Sequence, residues 1–406
     1  MLSRLAQPAQ RARGPPPFSR NSIVPDSSSR LARATALLHQ LSGGAGIHAS
    51  ASDTANYRAV FTRDAVMAGV AGLITGDATI IGAFVRTLEH LRDLQGSEGQ
   101  IASNYEVHDA TVPTTSFGSI APRLDGLSWY LVGVALAARR GALDGADFTS
   151  SVRRVVRLLN AIEYNGADLL YLPTGGNWAD EYPYDGYILA DQVLRSWGLR
   201  LCGDVFDEPS WVVKSQRIAA RIDERYWPDA ADGTPRHYPL ATITPTGSRD
   251  VFDLAACALL AVSGVAPARA REVLAWIATE FLARGDLPPA FHPVIHEGDA
   301  DWPALRRYHR YAFRNRPHEY HNGGVWPIWL GWLALGYARS GQAAELAILR
   351  RVSDAKLGAL PAYALEEYLH GRTYEAGGTA RMAYSATGLI FLHAAGSPAA
   401  NALLAS

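Results

Sequence analysis

The chain has 406 residues, 48% of them hydrophobic and 19% charged, with a formal net charge of −1. That length supports one large domain or two ordinary ones, and the balanced charge leaves no basic footprint for nucleic acid or an anionic membrane surface. The longest apolar runs, such as Leu254 to Val265, are too short to span a bilayer.

Residues 1–27 carry four arginines, several prolines and serines, no acid before Asp26 and no apolar stretch of signal-peptide type. They read as a disordered tail, with an organelle-targeting peptide as the alternative, and residues 28–406 read as a single domain. Helical periodicity then predicts segments near 28–42, 63–75, 78–95, 125–140, 148–163, 187–203, 210–226, 252–264, 267–283, 324–340, 342–353 and 383–395. The irregular stretches 98–122 and 228–248 have room for short hairpins. Cys202 and Cys257 both fall inside apolar helical patterns and read as reduced, buried thiols, in keeping with a cytoplasmic setting.

Two kinds of helix alternate. Val152 to Leu159 and Gln342 to Arg350 are amphipathic, with one wet, Arg-bearing face. Val66 to Ile74 and Leu254 to Ala261 are apolar nearly all round and rich in Gly and Ala, so they must be buried on most sides. The apolar helices begin near residues 63, 125, 187, 252, 324 and 383, at a roughly steady interval. Six inner and six outer helices at one period describe an all-α fold, the (α/α)6 barrel; a two-layer helical solenoid is the runner-up.

Each inner helix is preceded by a polar, aromatic segment. These are Tyr57 to Asp64, Gly118 to Gly126, Gly175 to Gly186, Ser248 to Asp253, His318 to Pro327, and Tyr374 onward. Parallel inner helices would bring all six to one rim. Any one of Asp64, Asp125 and Asp253 reads equally as an ordinary helix cap. The third segment, Gly175-Gly176-Asn177-Trp178-Ala179-Asp180-Glu181-Tyr182-Pro183-Tyr184-Asp185-Gly186, is the densest in acids and rings. Hydrolysis of a glycosidic bond needs a protonated carboxyl group and a second carboxylate. Asp180, flanked by Trp178, Tyr182 and Tyr184, is the candidate acid, since burial among rings would raise its pKa. Glu181 and Asp185 compete within the segment. The opposing carboxylate must come from another loop, and Leu365-Glu366-Glu367-Tyr368-Leu369-His370-Gly371 followed by Glu375 offers candidates, although Glu366 and Glu367 by themselves read as a solvated helix end. Serine-nucleophile, phosphate-binding and zinc motifs are missing. His292, His296 and Glu297 have only loose metal-like spacing in a Pro-rich loop, so neither metal nor cofactor is expected.

Three elements resemble the alkaline/neutral invertases. Asn56 to Asp64 is similar to their NEVFTRDF, Tyr320 to Pro327 to their YHNGGSWP, and Ile120 to Trp129 to their VAPVDSGLWW. Asp180, with Asp185-Gly186 and Gln192-Val193-Leu194, resembles their acid-bearing segment. The resemblance runs from about residue 50 to 395 and extends, more loosely, to the amylo-1,6-glucosidase part of glycogen debranching enzymes. It implies an (α/α)6 barrel that hydrolyses an α-glucosidic bond with inversion, with Asp180 as general acid and Glu367 as base, Glu366 or Glu375 being the alternatives in register. Sucrose is the first substrate it implies. Arg63, Asp64, Asp125, His321 and Asn322 would hold sugar hydroxyls, Trp178 and Trp326 would form platforms, and Tyr182, Gln192 and Tyr320 would complete the wall. The residues beside Asp180 and before Glu367 depart from the family pattern, where a second sugar would be gripped. A small carbohydrate is the expected partner, and a homo-oligomer is left open. The rival readings are a debranching-type hydrolase, a sugar epimerase or isomerase built on paired histidines, and a non-catalytic helical scaffold.

Overall fold

A computed structural model describes residues 27–52, 57–107, 114–119, 121–163, 166–230, 233–309, 311–360 and 362–405. The tail expected over residues 1–27 lies outside the described residues except for Ser27, which opens the first helix. Fourteen helices follow in order. They are α1 (Ser27–Leu41), α2 (Thr62–Thr75), α3 (Ala78–Asp93), α4 (Asp125–Arg139), α5 (Thr149–Ala161), α6 (Leu189–Val205) and α7 (Pro209–Arg225). Then come α8 (Leu254–Ser263), α9 (Pro267–Glu280), α10 (Trp302–Leu305), α11 (Pro327–Arg339), α12 (Ala343–Gly358), α13 (Ala383–Ala394) and α14 (Pro398–Leu404). All twelve predicted helices are present; the short α10 and α14 are additions.

The inner helices close on themselves. Helix α2 packs on α4, α4 on α6, α6 on α8, α8 on α11, α11 on α13, and α13 back on α2. Each is followed by an outer helix that packs against it: α3 on α2, α5 on α4, α7 on α6, α9 on α8 and α12 on α11, while α1 covers α13 and completes the second ring. This is the (α/α)6 barrel. Its cause is in the side chains. Every residue of α8 is buried, whereas α5 buries Val152, Val155, Val156 and Leu159 along one face and turns Arg153 and Arg157 out. Small residues let inner helices approach closely: a Cβ on Gly331 of α11 would lie 2.5 Å from the carbonyl oxygen of Gly388 in α13. Cys202 and Cys257 are buried and unbridged, and no helix among the described residues is long and apolar enough to cross a membrane.

Short antiparallel pairs pin the segments that enter the inner helices. Val60–Phe61 pairs with Asn104–Tyr105, and that strand pairs on with Thr114–Ser116. Tyr187–Ile188 pairs with the hairpin Thr242–Thr244/Gly247–Arg249. The two irregular stretches therefore do hold hairpins. Phe252–Asp253 pairs with Phe291–His292, and Val325 bridges to Leu369. These pairs satisfy backbone groups that loops at a rim would otherwise leave exposed or orphaned, and they hold the chemistry-bearing loops in place.

Candidate active site

At the rim where the inner helices begin, a cavity of about 590 Å³ opens, within the ~300–1,000 Å³ of small-molecule sites. Its wall takes residues from five of the six inner-helix approaches: Phe61, Arg63 and Asp64 at α2, Arg123 at α4, Trp178, Asp180 and Glu181 before α6, Tyr320 and Trp326 at α11, and Met382 and Tyr384 at α13. Glu367 joins from the position just before the strand Tyr368–Leu369, and Tyr57, Arg314 and Thr379 add to the polar lining. The sixth approach, Ser248 to Asp253, lines a separate depression of about 770 Å³ instead. That depression is the larger, but it holds neither Asp180 nor Glu367, and its acids are engaged: Asp185 accepts from the hydroxyl of Tyr171 at 2.7 Å and Asp301 pairs with Arg249 at 3.1 Å.

Asp180 and Glu367 thus share one cavity although 187 positions apart (367 − 180). Their surroundings differ. Glu367 is 4% exposed; its Oε1 accepts from the Tyr57 hydroxyl at 2.9 Å and its Oε2 from the Thr379 backbone N–H at 3.3 Å, with Arg314 Nη1 at 3.9 Å. Burial pushes its carboxyl above the usual range, against the pull of Arg314 and of those donors. Asp180 is bonded to Arg123 Nη2. Burial would raise it too, but the positive charge of Arg123, with smaller contributions from His321 and Arg314, holds it below the ordinary carboxylate value. His321 is itself pushed down to about 3 by burial, so near neutral pH it carries no charge and Arg123 is the effective cause.

That reverses one expectation. Two of the three rings expected to raise Asp180 face elsewhere. Tyr182 stacks on Phe291 at 4.0 Å, and Tyr184 meets the same ring edge-on at 5.3 Å. Both are core residues with 1% exposure. Tyr182 N–H bonds back to Ala179 in a tight turn, so residues two apart on the segment face different sides. Trp178 does reach the cavity, packed edge-on against His321, Trp326 and Trp329.

Of the other predicted contacts, Arg63, Asp64, Tyr320 and Trp326 line the cavity and five residues do not. Asp125 lies behind the wall and anchors Arg63 at 2.6 Å. Gln192 spends its amide on the backbone of Leu170 and Ile188. Asn322 likewise holds Ile295 N–H at 2.8 Å and the carbonyls of Ile295 and Asn315. His321 is fully buried, sandwiched by Tyr320 and Trp326 at 4.0 and 5.4 Å. Tyr182 is the fifth, for the reason given. The structure makes these residues supports for the wall. Among the alternative acids, Glu181 lines the cavity but is forked by Arg314 at 2.9 and 3.3 Å. Glu366 caps the Ala364 N–H at 2.8 Å, and Glu375 lies outside against Thr373.

Sequence reasoning passed over Arg123, Arg314 and Thr379, and gave Tyr57 no role. Tyr57 and Arg123 lay inside segments already singled out. Arg314 lies in the long connection between α9 and α11, which carries no periodic signal. Its guanidinium sits 3.8 Å over the Tyr320 ring and ties Glu181 to Tyr57, Nη1 reaching the phenolic oxygen at 3.5 Å. The histidines that do cluster, His296, His318 and His370 with ring centroids 5.8 and 5.7 Å apart, are outside the cavity lining. No group of metal-ligating side chains occurs among the described residues.

The fold and the rim cavity define an architecture shared with glycosidases of the (α/α)6 type. A GH63 mannosylglycerate hydrolase from Thermus thermophilus superposes with a TM-score of 0.63 at 15% identity, over 89% of this chain and 99% of that one. A bacterial glucoamylase complexed with acarbose gives 0.64 at 14% identity over 91% of this chain and 55% of its own. A rhamnosidase from Klebsiella oxytoca with rhamnose bound gives 0.61 at 11% identity, over 90% and 63%. No protein-family model and no curated protein matches the sequence.

Proposed function

We propose that the protein is an inverting glycoside hydrolase acting on a small α-glucoside, with Asp180 as general acid and Glu367 as general base. The observation that carries this reading is the convergence of these two carboxyl groups on one aromatic-walled cavity at the inner-helix rim. The fold shared with solved glycosidases supports it. The division of labour is the one the invertase-like motifs imply. The resting electrostatics run against it, since burial raises the Glu367 carboxyl while Arg123 holds Asp180 below the usual carboxylate range; the hydrogen-bond partners are what support it. Glu367 accepts donors at both oxygens, which favours the carboxylate that a base must be. Asp180 is the more exposed, with 21% side-chain accessibility, and among the described residues one of its oxygens is bonded, by Arg123. The other oxygen is available to carry a proton towards a leaving group.

In the step itself, the Asp180 proton passes to the glycosidic oxygen as the bond to the anomeric carbon breaks. Water adds to that carbon from the opposite face and its proton goes to Glu367. Arg63 and Asp64, 3.8 Å apart on the cavity floor, suit sugar hydroxyls, and Trp178 and Trp326 offer apolar ring faces. The invertase-like motifs make sucrose the first substrate to assay. A debranching reading has no observation in its favour, and for the epimerase reading no histidine lines the cavity among the described residues.

The test uses α-glucosyl fluoride, which needs no protonation to leave, beside sucrose and other α-glucosides. Asp180→Asn is expected to lose the ordinary glycosides and keep substantial turnover of the fluoride, whereas Glu367→Gln loses both. Release of the β-anomer, followed by NMR, reports inversion. Equal turnover of all substrates by both variants would sink the assignment.

A further inference from the structure

The Arg314 guanidinium is engaged on three sides. Along one edge its Nε and Nη2 donate to the Glu181 carboxylate at 3.3 and 2.9 Å. Its face lies 3.8 Å over the Tyr320 ring. The third nitrogen, Nη1, is turned towards Glu367: it reaches the Tyr57 oxygen at 3.5 Å and stops 3.9 Å from Glu367 Oε2. That last separation is too long for a hydrogen bond, yet well inside the range over which one charge shifts the titration of another. Glu181 is buried, and Asn315 Nδ2 donates to its backbone carbonyl at 2.8 Å, so the residue after Asp180 and the residue after Arg314 lock each other. The groups that face Glu367 fall on two sides. Arg314 acts most strongly in favour of the anion, joined by the Tyr57 hydroxyl and the Thr379 N–H, whereas burial and the charge of Asp180 disfavour it. Tyr320 and Tyr368, which also lie near the carboxylate, are phenols held above their ordinary range and stay neutral.

We propose, on the reading of Glu367 as general base, that Arg314 is a positioning residue for that base and that Glu181 holds it one step short of a direct salt bridge. Two demands on the base conflict. It must be ionised before water attacks, which a nearby cation secures in a buried wall. It must then accept a proton, which a directly bonded cation would resist. A guanidinium held at 3.9 Å meets the first demand without defeating the second. The same spacing leaves a lone pair of Oε2 open to the water, beside the bond that this oxygen accepts from Thr379. The water's proton passes to Glu367 as its oxygen joins the anomeric carbon. Glu181 has a second effect at that moment. Glu367 becomes neutral, but Arg314 keeps a counter-charge, so the wall is not left with an unpaired cation. One segment therefore carries both the acid, Asp180, and the residue that spaces the cation of the base.

The test reads the acidic limb of kcat/KM for α-glucosyl fluoride, which needs no acid to leave, so that the limb reports the base. In Glu181→Gln the fork loses its charge and Arg314 closes on Glu367. The limb is then expected to move to lower pH by about one unit or more, with turnover on the plateau down about tenfold. In Arg314→Gln the limb moves the opposite way, to higher pH, because the carboxyl loses its main stabilising charge. Arg314→Lys keeps the charge without the fork and brings the limb back towards lower pH. The double variant follows Arg314→Gln, since Glu181 acts through the guanidinium. A purely structural role lowers turnover in both single variants and leaves the limb in place. That result overturns the inference, as does a limb that moves the same way in both. Thermal melts identify the folded variants, and where only one of the two folds, its own direction of movement decides. Fluoride turnover that survives in Glu367→Gln, or that is absent from the wild type, overturns instead the reading of the base beneath the inference.

Discussion

The hydroxyl of Tyr57 donates to Glu367 Oε1 at 2.9 Å, and the same phenolic oxygen is reached by Arg314 Nη1 at 3.5 Å. This bond is one of the forces holding the buried Glu367 carboxyl down against the upward push of desolvation. Removing the donor in Tyr57→Phe should therefore raise the pKa of Glu367 further. A base must be deprotonated to work, so the acidic limb of kcat/KM is expected to move to higher pH, with a loss of roughly tenfold below neutrality. An unchanged acidic limb would show that Glu367 is not the titrating base.

Gly378 stands against the same carboxylate with φ +78°, and a Cβ there would lie 2.5 Å from Glu367 Oε2 and 2.7 Å from its Cβ. Gly378→Ala removes no chemical group but must displace Glu367. A drop in kcat of about 10²-fold is expected, the size of effect that a displacement near 1 Å produces. The left-handed backbone adds a stability loss of about 1 kcal/mol. Wild-type kcat in a folded variant would remove Glu367 from the reaction.

Gln192 tests the distinction between wall and support. Its amide accepts from Leu170 N–H at 2.8 Å and donates to the carbonyls of Leu170 and Ile188 at 2.9 and 3.2 Å. Gln192→Met leaves those buried groups unpaired and is expected to cost about 2–3 kcal/mol in denaturant unfolding. KM should stay at its wild-type value, because the side chain is not on the cavity wall. A raised KM without a stability loss would return Gln192 to the list of sugar contacts.

Asp253 supplies a stability signature that depends on pH. Its Oδ1 caps Ala256 N–H at 3.2 Å and burial pushes the carboxyl up to about 7. In the unfolded chain the same group titrates near 3.9. Between about pH 4 and pH 7 the folded chain therefore keeps a proton that the unfolded chain has released, so stability falls as pH rises through that window. Asp253→Asn retains a capping oxygen and cannot ionise. It should be more stable than wild type at pH 8, by on the order of 2 kcal/mol, with the gap closing towards pH 4. A gap independent of pH in thermal melts would rule this out.

Much of the scaffold was legible without coordinates. The apolar run of α8 has no wet face to offer solvent, and Val152, Val155, Val156 and Leu159 mark a single buried stripe on α5. Such patterns report burial directly, which is why the twelve helices and their two-ring order could be read. Asp180 and Glu367 could be singled out as candidates because the family resemblance implied them, and the fold brings both to one cavity. Asn322 and Gln192 show the limit: residue type identifies a polar side chain, and only the neighbouring backbone shows that its hydrogen bonds are already used.

Periodicity and the spacing of polar segments, carried by residues close in sequence, were enough to set the (α/α)6 ring and to bring Asp180 to its rim. The electrostatics of that rim came from long-range neighbours: Arg123, 57 positions from Asp180, and Arg314, whose partner Glu181 is 133 positions away. The Gly175 to Gly186 turn sends Tyr182 and Tyr184 into the core and leaves Asp180 facing a guanidinium, so a ring-lined acid on paper is an arginine-held anion in the fold. Burial follows local pattern well enough to be inferred from a chain, whereas the hydrogen bonds a polar side chain makes and the charge a carboxyl group meets depend on which distant segment closes over it.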